Sequence, residues 1–364
     1  MPDTAQLWMR QESRPGECRA PIVPEDAARL VRSGIRVTVE ESPQRVFPLA
    51  RYADAGCRIV AGGSWEGAPR DAFVIGLKEL PPRPIRLRHR HIYFGHAYKG
   101  QHGAEALLAR FSAGGGTLLD LEYLVDGNGR RLAAFGYWAG YVGAALAVLH
   151  ATGRLDRPLV PLTRQALDTA LHATTAHRGP GEAAPRAVVI GALGRCGQGA
   201  CDALEAAGLP PTRWDLAETA DLDRAALLAH DLLVNTVLTT RPLPPFLTSA
   251  DLGTPGPDRR LSTICDVTCD VTSECNLLPV YDEITDWDRP VRRLRDGNPP
   301  VDLIAIDNLP SLLPEEASRA FSADLLPQLL RLMSQGDAAP AWARCRDSFA
   351  AAVRTASKET EHAR

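Results

Sequence analysis

The chain has 364 residues, too many for one small core, so two domains are the natural expectation. With 45% hydrophobic and 23% charged residues it reads as an ordinary soluble globular protein. A net charge of −3 gives no whole-chain field for nucleic acid or an anionic membrane. No apolar run approaches the roughly 20 residues of a membrane helix, and Met1-Pro2-Asp3-Thr4-Ala5-Gln6 lacks the basic and apolar regions of a signal peptide. The expectation is a cytoplasmic protein with no nucleic-acid or membrane partner and with its oligomeric state open.

Residues 5–110 read as alternating strands and helices. Ala5–Arg10 is a short strand, and Pro24–Gly34 has a helix start and a glycine stop. Ile35–Glu40 alternates like a strand, and Arg51–Gly56 is a short helix. Phe73–Gly76 and His91–Phe94 are apolar runs suited to buried parallel strands. Residues 136–152 form a long helix rich in glycine and alanine, able to pack closely against a neighbour. Residues 153–185 read as polar loop, broken at Gly179-Pro180-Gly181.

A second α/β pattern begins at Arg186. Its strands are Ala187–Ile190, Arg213–Leu216, Asp231–Thr236, Thr263–Val267 and Leu303–Asp307, with a helix over Cys201–Gly208. Residues 315–333 and 340–356 are C-terminal helices. The eight cysteines form no C-x-x-C pair. Cys265, Cys269 and Cys275 lack the histidines of a zinc site, so no metal is expected.

The strand Val188-Val189-Ile190 runs into Gly191-Ala192-Leu193-Gly194-Arg195-Cys196-Gly197 and then a helix. Such a turn lets the main chain approach a pyrophosphate at a helix N-terminus. The spacing G-x-x-G-x-x-G is one residue longer than the common fingerprint. Asp215 ends the next strand, placed to bond ribose hydroxyls and to repel a 2′-phosphate, which favours NAD over NADP. Arg195 faces either the cofactor or solvent.

Of 41 basic residues only three are lysine: Lys78, Lys99 and Lys358. Arginine replaces lysine where only charge is needed, but not where an amine must release its proton near neutrality. Lys78 and Lys99 flank His96, and Lys78 and His96 each follow an apolar run. Lys78, Glu79, His96, Lys99 and Glu122 are therefore the candidates for acid–base work, with chance placement the alternative. Arg19 and the pair Arg130-Arg131 suit bidentate grip on carboxylates. The segment Arg10–Arg19 otherwise reads as a solvated charge run.

Together these residues resemble the NAD-dependent, lysine-forming saccharopine dehydrogenases, relatives in fold of alanine dehydrogenase and the transhydrogenase NAD domain. The resemblance covers nearly the whole chain. Its blocks include Arg14-Pro15-Gly16-Glu17-Cys18-Arg19, Ser42-Pro43-Gln44, Gly63-Ser64-Trp65, Gly76-Leu77-Lys78-Glu79, His96-Ala97-Tyr98-Lys99, Asp120-Leu121-Glu122, Gly129–Gly136, Ile190–Gly197, Trp214-Asp215 and Asp307–Pro314. It implies an α/β protein of two Rossmann-like domains, parallel sheets flanked by helices, with the active site in the cleft between them. Residues 1–135 with 321–364 would bind substrate, and 136–320 would bind NAD.

The implied reaction cleaves saccharopine oxidatively to lysine and 2-oxoglutarate, by hydride transfer to NAD and hydrolysis of the imine. Lys78 would take the secondary-amine proton, and His96 would activate water. Glu79 and Glu122 would tune both. Arg19, Lys99, Arg131 and Phe135 would contact substrate. Gly191, Gly194, Arg195, Cys196, Gly197, Asp215, Asp307 and Leu309 would line the NAD site. Asn308 stands where the family often has histidine, and the charged segment 285–300 is unusual. An opine-type dehydrogenase using another amine, or a silent NAD-binding regulator, are the competing readings.

Overall fold

A computed structural model describes residues 5–98, 103–176, 183–239, 241–253 and 259–362. The chain divides into two units, Met1–Ala134 with Ala317–Arg364, and Phe135–Glu316. The expected boundaries were 135/136 and 320/321.

The first unit is built on six strands: β1 (Gln6–Met9), β2 (Arg36–Glu40), β3 (Arg58–Val60), β4 (Phe73–Ile75), β5 (Arg90–Tyr93) and β6 (Thr117–Asp120). They lie in the order β3-β2-β1-β4-β5-β6, every pair parallel. The helices between them are α1 (Pro24–Arg32), α2 (Leu49–Asp54) and α3 (Ala104–Gly114). Helix α1 starts with proline at its first turn beside Glu25 and Asp26 and ends near Arg29 and Arg32, charges that suit its dipole. Gly34, at φ 82°, then turns the chain into β2.

Parallel strands buried on both faces need apolar runs, and Phe73, Val74 and Ile75 are all buried. One core joins Trp8, Trp65, Val74, Tyr93, Phe111 and Leu118 to Phe349 of the C-terminal helix. That helix turns Trp342, Cys345 and Phe349 inward on one stripe.

The second unit opens with α4 (Gly136–Ala151) and α5 (Arg164–Ala176). It continues as β7 (Ala187–Ile190), α6 (Arg195–Ala206), β8 (Thr212–Trp214), α7 (Leu216–Thr219), α8 (Arg224–Leu228) and β9 (Leu232–Asn235). Then follow α9 (Ser249–Gly253), β10 (Thr263–Asp266), β11 (Arg292–Arg295) and β12 (Val301–Ile304). The sheet order is β11-β12-β10-β9-β7-β8, parallel except for β11, which runs antiparallel to β12. The C-terminal helices are α10 (Pro314–Gln335) and α11 (Pro340–His362).

One expectation is corrected, and one segment is explained. Residues 164–176, read as loop, form α5. Leu167 and Leu171, four apart, are buried, while the polar residues around them hide the period. The charged segment 285–300 contains edge strand β11, whose arginines meet acids: Arg293 pairs with Asp302 at 2.5 Å and Asp296 at 3.1 Å, and Arg292 with Asp282 at 2.9 Å. Among the described residues no helix is long and apolar enough to cross a membrane. No disulfide joins the eight cysteines.

Candidate active site

In the first unit the strand order reverses between β1 and β4. Ligands of open α/β sheets bind beyond the carboxyl ends of the strands at such a point. Strand β1 leads into Arg10–Arg19, β4 into Gly76–Glu79, β5 into Phe94–His96, and β6 into Asp120–Glu122. The four acid–base candidates in the described residues thus leave three neighbouring strands on one edge of one sheet. Lys99 lies outside the described residues.

Lys78 is half-buried, and Glu79 is exposed. The main chain at Lys78 is held from β1. Glu12 accepts from Leu77 N at 2.7 Å and Lys78 N at 3.0 Å, and Arg10 donates to the Lys78 carbonyl. The His96 imidazole is 59% exposed, open to a ligand, and its Nδ1 lies 3.6 Å from Glu122 Oε2. Its ring stacks near Phe94, and its φ of 48° is in the left-handed region.

Asp120 lies beneath this pair. Its Oδ1 accepts from Glu122 N at 2.9 Å, while Oδ2 has no hydrogen-bond partner among the described residues. Burial pushes its carboxyl up to about 6; the nearby N–H groups of Glu122, Gly95 and His96 offset part of this, and the Glu122 charge adds to it. Its folded-state pKa is raised above the unfolded value, so its contribution is fully present below about pH 4 and is lost as pH rises through about 6. The expected loss is about 2–3 kcal/mol. Urea unfolding measured from pH 4 to pH 7 should show a flatter profile for Asp120→Asn than for the parent; equal slopes would contradict this origin.

The segment Arg10–Arg19 is not a solvated charge run. Arg10, Glu12, Glu17 and Arg19 are all buried. Glu17 takes the Arg19 fork through Nε at 2.8 Å and Nη2 at 2.6 Å. Burial alone would raise the Glu17 carboxyl, but the charge and hydrogen bonds of Arg19, with Lys78 adding its charge, hold it below the usual range. The opposite charges two residues apart fold onto each other, which removes the need for solvent. Arg131 is half-buried and bridges to Val125 across the turn at Asp126–Gly129. Phe135 is half-buried and precedes α4 in the second unit.

In the second unit the turn after β7 is a cradle. Gly191 has φ 82°, and a Cβ there would meet Thr236 Oγ1 at 2.7 Å. A Cβ on Gly197 would lie 2.1 Å from the Gly191 carbonyl oxygen. Gly194 caps α6, which starts at Arg195 and Cys196. Both of these side chains lie beside Gly136 of α4.

Asp215 directly follows β8, caps α7, and accepts from Leu193 N and Leu216 N, each at 2.9 Å, leaving further lone pairs on its oxygens. A bare cradle, a helix N-terminus and a carboxylate just after the next strand fit a dinucleotide without a 2′-phosphate. Leu193 and Leu216 flank that carboxylate and are 70% and 82% exposed, a pair of apolar faces that the sequence reading did not single out. Asp307 is exposed after β12. Leu309 is 2% exposed and packs toward Gly143, so its side chain serves the core.

Residues 8–142 match the alanine dehydrogenase/PNT N-terminal domain family. An L-alanine dehydrogenase structure is 19% identical, with a TM-score of 0.67, and the match covers 95% of this chain and 93% of that one. A transhydrogenase from Sinorhizobium meliloti superposes with a TM-score of 0.65 at 19% identity, over 92% of this chain and 96% of the other. Those likenesses concern the fold. The saccharopine dehydrogenase [NAD(+), L-lysine-forming] of Neurospora crassa is 43% identical over 96% of each chain. The chain belongs to the NAD-dependent, lysine-forming saccharopine dehydrogenase family.

Within a saccharopine dehydrogenase, the residues missed from sequence are Arg10, Glu12 and Asp120. Each is a charged side chain that reaches the site through the main chain of another residue. The available signal was an arginine and an acid directly after an apolar strand.

Proposed function

We infer that this chain catalyses the NAD-dependent oxidative cleavage of saccharopine to L-lysine and 2-oxoglutarate, or the reverse reductive condensation. The observation that carries the residue assignment is the exit of Lys78 and His96 from adjacent parallel strands, β4 and β5, at their carboxyl ends. NAD, when bound, supplies the hydride acceptor; Gly191, Gly194, Gly197 and the N-terminus of α6 would hold its pyrophosphate and Asp215 its ribose.

The rest of the chemistry is proton transfer. Lys78 takes the proton from the secondary amine as the carbon–nitrogen bond is oxidised. Water then adds to the imine carbon, with His96 accepting its proton, and Glu122 steadies the charged imidazole from 3.6 Å. Collapse of the carbinolamine returns a proton to the lysine nitrogen and leaves the carbonyl of 2-oxoglutarate. Arg131 orients a substrate carboxylate. Arg19 contributes a second positive charge whose fork is already shared with Glu17.

The test is to follow NADH loss with 2-oxoglutarate and a panel of amines. Turnover with lysine, and little with other amino acids, is the expected result. Turnover only with another amine, or NADH binding without turnover, would overturn it.

A further inference from the structure

Beyond the acid–base pair, one buried ion pair bonds the main chain at Lys78. Arg10 and Glu12 follow β1, are 1% and 7% exposed, and meet at 3.4 Å. Strand pairing between β1 and β4 ends at Met9 and Ile75, and the last main-chain bond across this boundary is Arg10 N to Ile75 O at 3.0 Å. Beyond it, side chains of β1's extension replace the missing strand partner. One Glu12 carboxylate takes the N–H groups of Leu77 and Lys78, and the Arg10 guanidinium donates to the Lys78 carbonyl.

The fit is close. A Cβ on Gly76 would lie 2.5 Å from the Arg10 guanidinium carbon, so the guanidinium rests on a bare glycine. On the same guanidinium, Tyr93 presents its ring at 5.6 Å. Gln44 donates to the Glu12 carbonyl at 2.8 Å and Arg45 to the Arg10 carbonyl at 3.4 Å, which fixes the clamp itself.

Burying two charges is costly, and apolar side chains of similar size would fill the space at no such cost. What the charges add is direction: three hydrogen bonds converge on Lys78 and the residue before it. We propose that Arg10 and Glu12 are positioning residues that set the direction of the Lys78 amine by clamping its main chain. This rests on the acid–base role assigned to Lys78 above.

The test is a double-mutant cycle in the full-length enzyme, with Glu12→Gln, Lys78→Met and the double variant assayed for saccharopine oxidation. Glutamine keeps the shape but sets an N–H against a main-chain N–H. Glu12→Gln should lower kcat about 10- to 100-fold, leave NADH affinity within about twofold, and change the pH–rate profile. In the Lys78→Met background the same change should cost less than about twofold, because the clamp then has no amine to aim.

Additive losses, or a parental pH profile in Glu12→Gln, would overturn the clamp while leaving the role of Lys78 standing. Full activity of Lys78→Met would instead remove that role. Should Glu12→Gln not fold, as judged by NADH binding and circular dichroism, Glu12→Asp enters the same cycle. It keeps the carboxylate one methylene short, with the same outcomes deciding.

Discussion

Lys78→Met should lower kcat for saccharopine oxidation by about 10³-fold, within the range that general acid–base groups contribute. Methionine keeps the length and most of the apolar stem, so packing around this half-buried side chain changes little. The main chain also stays in place, because Glu12 and Arg10 bind its N–H and carbonyl groups rather than the amine. The loss should therefore fall on kcat, with NAD affinity preserved in the other unit and one ionisation missing from the pH–rate profile. A secondary effect is expected at Glu17, whose carboxyl is held down partly by the Lys78 charge and should titrate higher without it. Steady-state rates across pH, with NADH titrated separately, check this. Activity within tenfold of the parent would remove Lys78 from the mechanism.

Gly140→Ala should destabilise the second unit by about 4 kcal/mol or more, beyond the usual 1–3 kcal/mol of overpacking. Helix propensity alone would favour alanine by about 1 kcal/mol. The contact between α4 and α6 opposes it. A Cβ on Gly140 would stand 1.8 Å from the Cys196 carbonyl oxygen, and one on Gly199 would stand 1.9 Å from the Tyr137 carbonyl oxygen. These obstacles are main chain of the two facing helices, so no rotamer change relieves them. Urea unfolding would show the loss as a lower midpoint. NADH affinity should fall too, because Cys196 lies in the first turn of α6, which follows the glycine turn. A midpoint unchanged from the parent would show that the two helices can separate.

Much of this was legible beforehand because it rests on local pattern. Apolar runs followed by Gly76-Leu77-Lys78 and Phe94-Gly95-His96 announce parallel strands with titratable side chains at their ends. The glycine turn announces its own backbone demands, and Gly191 and Gly197 meet them. What stayed hidden depends on partners far away in sequence. Nothing in Arg10-Gln11-Glu12 reveals that Glu12 will bind main chain 65 and 66 residues later. Arg292-Arg293-Leu294-Arg295 pairs with β12 while its arginines meet Asp302, Asp296 and Asp282, acids up to 10 residues away that the run itself does not show. Helix α5 was obscured for the opposite reason: just a narrow stripe of it is apolar, so composition outweighed period.

The left-handed backbone at His96 has a consequence for how this protein tolerates change. A non-glycine residue there costs roughly 1–2 kcal/mol, which glycine would largely recover. Yet the imidazole is the group assigned to water activation. Turnover and robustness therefore pull this position in opposite directions, and mutation under selection for folding alone would drift toward glycine and a better-folded, silent protein. On the proposed mechanism, the strain at His96 is the cost of placing an imidazole where glycine would fold better.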